Sequence, residues 1–365
     1  MPSQPPFVLT PVMVICWSLG LLVGGIAFLF AMGVCWLLVI GGGSDVADKH
    51  GLSAVDASRI GGALIGSYVV ASVLYYHIWE DLPLDSLVIT ALMAALCFYG
   101  IGLLEDLRGD LQASLRFALM LFVSSLSLVL CPAFLLAPVG LAWVDGPLTF
   151  NAASQFVFTL VCLGFLPNAF NTSDGANGLL SGTSILALLA LSSWFESELS
   201  YLLLYGALGT ALFFIFNVTT GRFFLGDGGA YFLGALIGFS IIRVANTNEV
   251  SVWCLLSLIF YPVADLLWSM TRRVLSRNSP MAADNLHLHN LIHDVAISES
   301  LPPSFKNTAT GLGLVLMFSG LPWIVYGIVG SVTNEAWFFL ICIQWVTYGT
   351  SWISLYLSQM SQERV

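Results

Sequence analysis

Apolar runs of about 20 residues recur along the whole chain and constrain its fold more than any other feature. A helix needs roughly 20 mainly apolar residues to cross a bilayer, and lipid-exposed backbone must satisfy its hydrogen bonds within helices or closed barrels. We therefore expect an all-α, polytopic integral membrane protein that forms a single domain over residues 1–365. The eleven predicted transmembrane helices lie near 16–40, 61–79, 86–104, 115–136, 153–170, 178–195, 199–217, 228–243, 250–269, 309–331 and 336–357.

The composition supports this fold class and excludes some functions. Hydrophobic residues make up 58% of the chain and charged residues 9%, whereas soluble domains average roughly 45–50% and 25%. With only eleven Lys and Arg residues, no nucleic-acid partner is expected. The seven cysteines are dispersed without a C-x-x-C pair, which is typical of small buried hydrophobes. Residues 1–10 contain no Lys or Arg and no small-residue cleavage signal, so no cleaved signal peptide is expected.

The distribution of basic residues predicts the topology. With eleven spans, the loops alternate between the two membrane faces, and all but one of the eleven Lys and Arg residues fall on one face. Arg243 is the exception. Cytoplasmic loops carry an excess of Lys and Arg, so we predict an outer N-terminus and a cytoplasmic C-terminus. The predicted cytoplasmic loops are 42–60, 105–114, 171–177, 218–227 and 270–308.

A polar segment at mid-chain, residues 168–178, interrupts the apolar sequence. It reads Asn-Ala-Phe-Asn-Thr-Ser-Asp-Gly-Ala-Asn-Gly. Polar groups without partners beside a bilayer cost several kcal/mol each, which favours a functional role. Asn168 and Asn171 stand three residues apart, as do Asp174 and Asn177, so each pair could share one helix face. An ordinary connecting loop is the alternative, since Asn, Asp and Gly are common turn residues.

Acidic residues lie at the ends of two other predicted spans. Glu105 and Asp106 are adjacent, and such a pair can bind Mg²⁺ together with substrate phosphates or act as a base with a raised pKa. Asp227 is flanked by glycines directly before an apolar run. Glycines let the backbone approach an anion, and the amides of the following helix attract it. A solvated helix end and a glycine-rich turn are the respective alternatives.

Basic and histidine residues occupy the first and last predicted cytoplasmic loops. Lys49 and His50 could bind phosphate or simply set the topology. Three of the five histidines, His287, His289 and His293, fall within seven residues. The spacing of the last two suits two ligands of a zinc site, but no third ligand set is evident. Contact between these histidines and substrate phosphates is the preferred interpretation.

Taken together, the loops resemble those of the polyprenyl-phosphate N-acetylhexosamine-1-phosphate transferases. These membrane enzymes begin the lipid intermediates of O-antigen, enterobacterial common antigen, teichoic acid and peptidoglycan. The matching positions are Lys49, His50 and Arg59 to Gly62; Glu105, Asp106 and Arg116; Asn168, Asn171, Asp174 and Asn177; Arg222, Gly226 and Asp227; and Asp284, His287 and His289. Three positions depart from the family pattern: Glu105 replaces an Asp, Asn285 an Arg, and Asn290 a third His.

The resemblance implies a reaction and a cofactor. N-acetylhexosamine-1-phosphate, with N-acetylglucosamine as the first choice of sugar, would pass from a UDP-sugar to undecaprenyl phosphate with release of UMP. The site would face the cytoplasm at a bacterial inner membrane and serve cell wall or lipopolysaccharide O-antigen biogenesis. Mg²⁺ is the implied cofactor, with Mn²⁺ as a substitute, and its implied ligands are Asn171 and Asp227. The implied catalytic residues are Glu105, Asp106 and Asp174, the first two of which would orient or deprotonate the lipid phosphate.

Further residues are implied to contact the substrates. They are Lys49, His50, Arg116, Asn168, Asn177, Arg222, Gly226, His287, His289 and His293. Direct attack by the lipid phosphate is the preferred route, and a covalent phospho-aspartate route remains open, as does a homodimer.

Two other functions are alternatives to this one. Asp106 and Asp110 form D-x-x-x-D, the spacing with which intramembrane prenyltransferases bind a prenyl diphosphate through Mg²⁺, but the second acidic cluster of that class is not found. A lipid or ion transporter would place ionisable residues near the bilayer midplane, whereas these acids lie at the ends of spans.

Overall fold

The computed structural model describes residues 22–33, 59, 61–79, 84–194, 198–279, 285–297, 301–330 and 334–362. Over these ranges the chain is helical and contains no β-strand, which confirms the predicted all-α class. Lys49, His50 and Asp284 lie outside the described residues.

Fifteen helices follow one another in the described part of the chain. They are α1 Leu22–Gly33, α2 Gly61–Trp79, α3 Ser86–Arg108, α4 Ala113–Leu130, α5 Ala142–Leu148, α6 Ala152–Thr172, α7 Leu179–Ser193, α8 Glu198–Thr220, α9 Gly226–Ala245, α10 Val252–Leu258, α11 Phe260–Leu275, α12 Leu288–Leu291, α13 Pro303–Leu314, α14 Leu321–Val329 and α15 Asn334–Gln362. A 3₁₀ turn spans Pro132–Phe134, and π-helical segments span Ile292–Ala296 and Val315–Gly320.

Eight helices in the described ranges are long and apolar enough to cross a membrane. They are α2, α3, α4, α6, α8, α9, α15 and the continuous stretch Pro303–Val329 that joins α13 to α14. The α10–α11 pair is bent by 80° and adds at most a ninth span, and α1 and α7 are shorter. The protein is therefore a multi-pass membrane protein, while the count of eleven spans and the orientation of the termini stay predictions.

The predicted span 250–269 is not one continuous helix. It breaks at Ile259, between α10 and α11. Pro262 has no backbone N–H and cannot donate to the carbonyl of Leu258, so a straight helix would lose a hydrogen bond at this point. Gln344 of α15 donates from Nε2 to the carbonyl oxygens of Ser257, at 3.4 Å, and Phe318, at 2.8 Å. This buried amide joins the broken helix to the π-helical segment.

Helix α9 forms the centre of the bundle and leads into the candidate site. Most of its residues are buried, and the helix packs against α2, α3, α6 and α7. Glycines permit this packing, because small residues let helix backbones approach closely. A Cβ on Gly62 of α2 would overlap Gly229, and one on Gly102 of α3 would overlap the backbone of Asp227.

The helices extend further into the predicted loops than the apolar runs suggest. Helix α3 continues to Arg108, α6 to Thr172 and α8 to Thr220, and α9 already begins at Gly226. The candidate residues Glu105, Asp106, Asn171 and Asp227 therefore stand on the ends of helices rather than in loops. This placement makes their positions depend on helix packing.

Candidate active site

The carboxylate of Asp106 caps the first turn of α9. Its Oδ1 accepts a hydrogen bond from the backbone N–H of Asp227 at 3.0 Å, and its Oδ2 accepts one from Gly228 at 2.9 Å. Gly226 begins the helix with φ at 70°, and a Cβ there would overlap the carbonyl oxygen of Arg59. A negative group at this position is stabilised by the positive end of the helix dipole. Asp106 thus fixes α3 to the start of α9.

Arg116, from the first turn of α4, lies between two acids. Its Nη1 is 2.6 Å from Asp227 Oδ2 and 3.8 Å from Glu105 Oε1. These side chains are only 16–20% exposed. Glu105 is held in turn by the backbone N–H of Leu111, which donates to Oε2 at 2.9 Å. The arrangement places one cation and two carboxylates at the same end of the bundle, as the motifs predict.

The hydroxyl of Tyr231 connects the residues of this cluster. It accepts from Arg116 Nη1 and Asn171 Nδ2 and donates to Asp227 Oδ2, each at 3.4 Å. Asn171 of α6 therefore reaches the same cluster as the acids of α3 and α9. Sequence reasoning missed Tyr231 because it lies inside an apolar run. Its position four residues after Asp227, on the same helix face, is the signal that could have found it.

Asp174 completes the acidic cluster from the turn between α6 and α7. Burial raises the pKa of its carboxyl to about 7, and the negative charges of Asp106 and Asp227 act in the same direction. The backbone N–H of Gly226, which hydrogen-bonds this carboxyl, and the nearby Arg59 act against them. Three carboxylates therefore surround the first turn of α9.

Oxygen ligands for a divalent cation are present, but they do not form a complete cage. Among the described residues, no three or more His, Cys, Asp or Glu side chains converge closely enough to hold a metal ion by themselves. Mg²⁺ is usually held by one or two carboxylates together with substrate phosphates and water. The oxygen-rich set of Asp227, Asn171 and Asp174 fits such an ion only when a substrate supplies further oxygens.

The histidine segment, residues 285–291, packs against the turn that carries Asp174. A Cβ on Gly175 would overlap Nε2 of His289, so this imidazole lies directly on the turn. Its Nδ1 is 3.0 Å from the hydroxyl of Tyr261. Burial lowers the pKa of His289 to about 4, so the ring is neutral at physiological pH. The ring of His287 stacks on that of His289 at 5.4 Å.

The histidine pair of the zinc alternative does not form a metal site in the described structure. His293 Nδ1 is 2.8 Å from the carboxylate of its neighbour Asp294. His289 is instead bound to Tyr261. Among the described residues, no group of three His, Cys, Asp or Glu side chains converges here either.

Two predicted substrate contacts bind elsewhere in the structure, and a third is exposed. Asn168 Nδ2 donates to the carbonyl of Gly164 at 2.8 Å. The backbone N–H of Asn177 donates to Asn307 Oδ1 at 2.7 Å, which fixes the turn to α13. Arg222 is exposed. Their roles in substrate binding stay predictions.

Asp265 on α11 is a second residue that sequence reasoning missed. Its side chain is completely buried, and its Oδ2 lies 2.6 Å from His287 Nδ1. It is the one acid in the apolar run 250–269. An ionisable residue inside a predicted span is by itself a sign of function, and this sign was available from the sequence.

The part of the chain that carries the acidic cluster is similar to a known protein family. Residues 88–245 match the family described as glycosyl transferase family 4. This range runs from α3 to α9 and includes Asp106, Asn171, Asp174 and Asp227. It does not include Asp265.

Curated relatives match over longer stretches. The undecaprenyl-phosphate alpha-N-acetylglucosaminyl 1-phosphate transferase of Escherichia coli K12 is 28% identical over 206 residues, which is 53% of this chain and 54% of the relative. The probable undecaprenyl-phosphate N-acetylglucosaminyl 1-phosphate transferase of Bacillus subtilis is 27% identical over 257 residues, 67% of each chain. The decaprenyl-phosphate N-acetylglucosaminephosphotransferase of Mycobacterium tuberculosis is 26% identical over 237 residues, 57% of each. The chain spans about half the length of the first of these relatives. These matches support the resemblance seen in the motifs: residues 88–245 are similar to glycosyl transferase family 4, and the relatives over this part of the chain are polyprenyl-phosphate N-acetylglucosamine-1-phosphate transferases.

Proposed function

We propose that the protein transfers N-acetylhexosamine-1-phosphate from a UDP-sugar to undecaprenyl phosphate and releases UMP. N-acetylglucosamine is the first choice of sugar, because the relatives' names specify it. The observation that carries the proposal is the cluster of Asp106, Asp174 and Asp227 around the first turn of α9, with Arg116 beside it. The reaction would occur at the cytoplasmic face of a bacterial inner membrane and begin a cell-envelope polysaccharide such as O-antigen.

Charge neutralisation is the main task of such a site, since both reactants are anions. The guanidinium of Arg116 supplies positive charge where the phosphates would bind, whereas the amides at the start of α9 are already bonded to Asp106 and Asp174. Arg116 contacts Asp227 at 2.6 Å, so a bound phosphate would share or replace this partner. Positioning and electrostatic stabilisation account for most of the rate in phosphoryl transfer generally.

Mg²⁺, or Mn²⁺ in its place, would neutralise the pyrophosphate charge when bound. Asp227 and Asn171 would hold it, with Asp174 nearby. The NH₂ group of Asn171 donates to Tyr231, which orients the side chain and leaves the amide oxygen for another bond. The amide oxygen of Asn171 could therefore serve as a metal ligand beside the carboxylates.

Asp106 is assigned to holding the first turn of α9, because both of its oxygens accept backbone N–H groups. The second pKa of a phosphate monoester lies near 6, so the lipid phosphate ionises at neutral pH without a strong base. Direct attack by the lipid phosphate is therefore the simpler route, and a covalent phospho-aspartate is not required.

The proposal is tested by UMP release from purified protein in detergent. The assay supplies undecaprenyl phosphate, Mg²⁺ and, in turn, UDP-linked N-acetylglucosamine, N-acetylgalactosamine and N-acetylfucosamine. Asp227→Asn should lower kcat by about 100-fold or more, as does removal of one strong electrostatic contact in other enzymes. Asp110→Asn is the matched control, because Asp110 is exposed on the loop after α3. It should retain wild-type turnover.

The Asp110→Asn control also distinguishes the proposed transferase from the prenyltransferase alternative, because the alternative needs both Asp106 and Asp110. Equal losses in Asp110→Asn and Asp227→Asn would favour that alternative. No UMP from any of the three donors, in protein shown to be folded, would contradict the proposed reaction.

A further inference from the structure

We infer that Asp265 is a positioning residue that clamps the histidine segment, residues 285–291, against the turn of Asp174. Its effect on turnover rests on the proposed function, whereas the clamp itself does not. Asp265 lies on α11, outside the range 88–245 that matches the family, and its side chain is completely buried.

A single carboxylate binds the segment through both side chain and backbone. Oδ2 lies 2.6 Å from Nδ1 of His287. Oδ1 accepts the backbone N–H of Leu288 at 3.2 Å and the hydroxyl of Tyr348, from α15, at 2.7 Å. Asp265 therefore joins α11, α15 and the histidine segment at one point.

The contact also fixes the orientation of His287. When Nδ1 donates its hydrogen to a carboxylate, the ring plane is set and Nε2 is left for another partner. The rings of His287 and His289 are nearly parallel, with an interplanar angle of 7° and centroids 5.4 Å apart. His289 in turn lies on Gly175, next to Asp174. A displaced His287 would thus disturb the packing on the acidic turn.

Stability alone does not explain a carboxylate at this position. Removing a charged group from water is costly, and well-packed apolar residues often stabilise a core as well as a buried ion pair does. Here the carboxylate accepts from an imidazole, an amide and a hydroxyl at once. Oδ1 accepts two of these groups and Oδ2 the third, which points to a requirement for the geometry of the segment.

Hydrogen exchange tests the clamp without any assay of activity. Asp265→Asn keeps the size of the side chain but replaces one acceptor oxygen with an NH₂ donor. Amides of residues 285–291 should exchange about tenfold faster in this variant, because a lost hydrogen bond to a charged group lowers the free energy of local opening. Amides of α9 should be unchanged.

Asp145→Asn is the matched control for this experiment. Asp145 also accepts a backbone N–H, from Val139 at 2.8 Å, and its helix, α5, packs on α6. Its substitution should leave exchange over residues 285–291 at the wild-type rate. Wild-type exchange of that segment in Asp265→Asn would overturn the clamp, whether or not the transferase proposal holds.

A double-mutant cycle with His287→Gln tests whether Asp265 acts through His287. Asp265→Asn should lower kcat about 10- to 100-fold, the loss typical of partners that orient a functional histidine. The KM for undecaprenyl phosphate should change little. The double variant should be no slower than His287→Gln alone, because the two residues act as one unit.

Multiplied effects in the double variant would show that Asp265 acts independently of His287 and would overturn the positioning role. Wild-type protein that releases no UMP would instead count against the proposed function. The exchange experiment would still decide the clamp.

Discussion

The charge state of Asp174 depends strongly on its surroundings. The pKa of its carboxyl lies at about 7, against an ordinary value of about 3.9, because burial and the charges of Asp106 and Asp227 oppose ionisation. A divalent cation bound beside it would favour the carboxylate again. The residue therefore links pH to metal binding.

The raised pKa of Asp174 predicts how stability changes with pH. In metal-free protein, the raised pKa means that the protonated carboxyl of Asp174 stabilises the fold. This stabilisation is fully present at a pH below the carboxyl's pKa in the unfolded chain, and it is lost as the pH rises through the folded-state pKa of about 7. The thermal midpoint of the wild type in EDTA should therefore fall, relative to that of Asp174→Asn, between pH 4.5 and 8. Mg²⁺ should raise the wild-type midpoint most at pH 8, since it binds the ionised form. Parallel pH profiles for the two proteins would disprove this linkage.

At the scale of residues, the sequence predicts those site residues that are polar or charged side chains at the ends of apolar runs. Arg116, Asn171 and Asp227 are polar groups at the ends of apolar runs, and the structure brings them together through Tyr231. Tyr231 itself could not be found by the same reasoning, because a tyrosine within an apolar run usually belongs to the core. Its role appears only when α4, α6 and α9 are packed together.

At the scale of elements, close packing of helices positions the acidic cluster. Gly102 lets α3 approach the first turn of α9, where a Cβ would overlap the backbone of Asp227. Two residues earlier on the same helix, a Cβ on Gly100 would meet no atom within 4 Å. The two glycines thus differ in what they contact, although both lie in α3.

Gly102→Ala should therefore displace the start of α9, with a cost of about 1–3 kcal/mol, the usual range for overpacking. We expect a lower thermal midpoint in detergent and a loss of UMP release. Gly100→Ala is the matched control and should retain both properties or gain slightly in helix stability. Similar behaviour of the two variants would show that the close approach of α3 and α9 does not position Asp227.

Sequence predicts where helices occur better than how they bend. Each apolar run that falls in the described residues corresponds to a helix or to a pair of helices. The break at Ile259 was not predicted, because residues 250–269 are apolar almost throughout. Pro262 was the available sign, but proline often occurs in transmembrane helices without breaking them. Here Gln344, far along the chain, provides the hydrogen bonds that accommodate the break.

At the scale of the whole molecule, the candidate site combines parts of the chain that are distant in sequence. The acids come from the range 88–245 that matches the family. The histidine segment belongs to the following part of the chain and reaches the site through the contact of His289 with Gly175. The motifs predicted both groups, but not that Asp265 would anchor the second one. That anchor stands on α11, shortly after the bend between α10 and α11.

The fate of the β-phosphate of the sugar nucleotide tests the central proposal most directly. UDP-N-acetylglucosamine carrying a radiolabel on its β-phosphate would be incubated with the protein, undecaprenyl phosphate and Mg²⁺, and the lipid and aqueous phases separated. Transfer of the sugar-1-phosphate predicts that the label enters the lipid and that unlabelled UMP appears in water. Label that remains in water as UDP, with sugar in the lipid, would mean transfer of the sugar alone and would contradict the proposal.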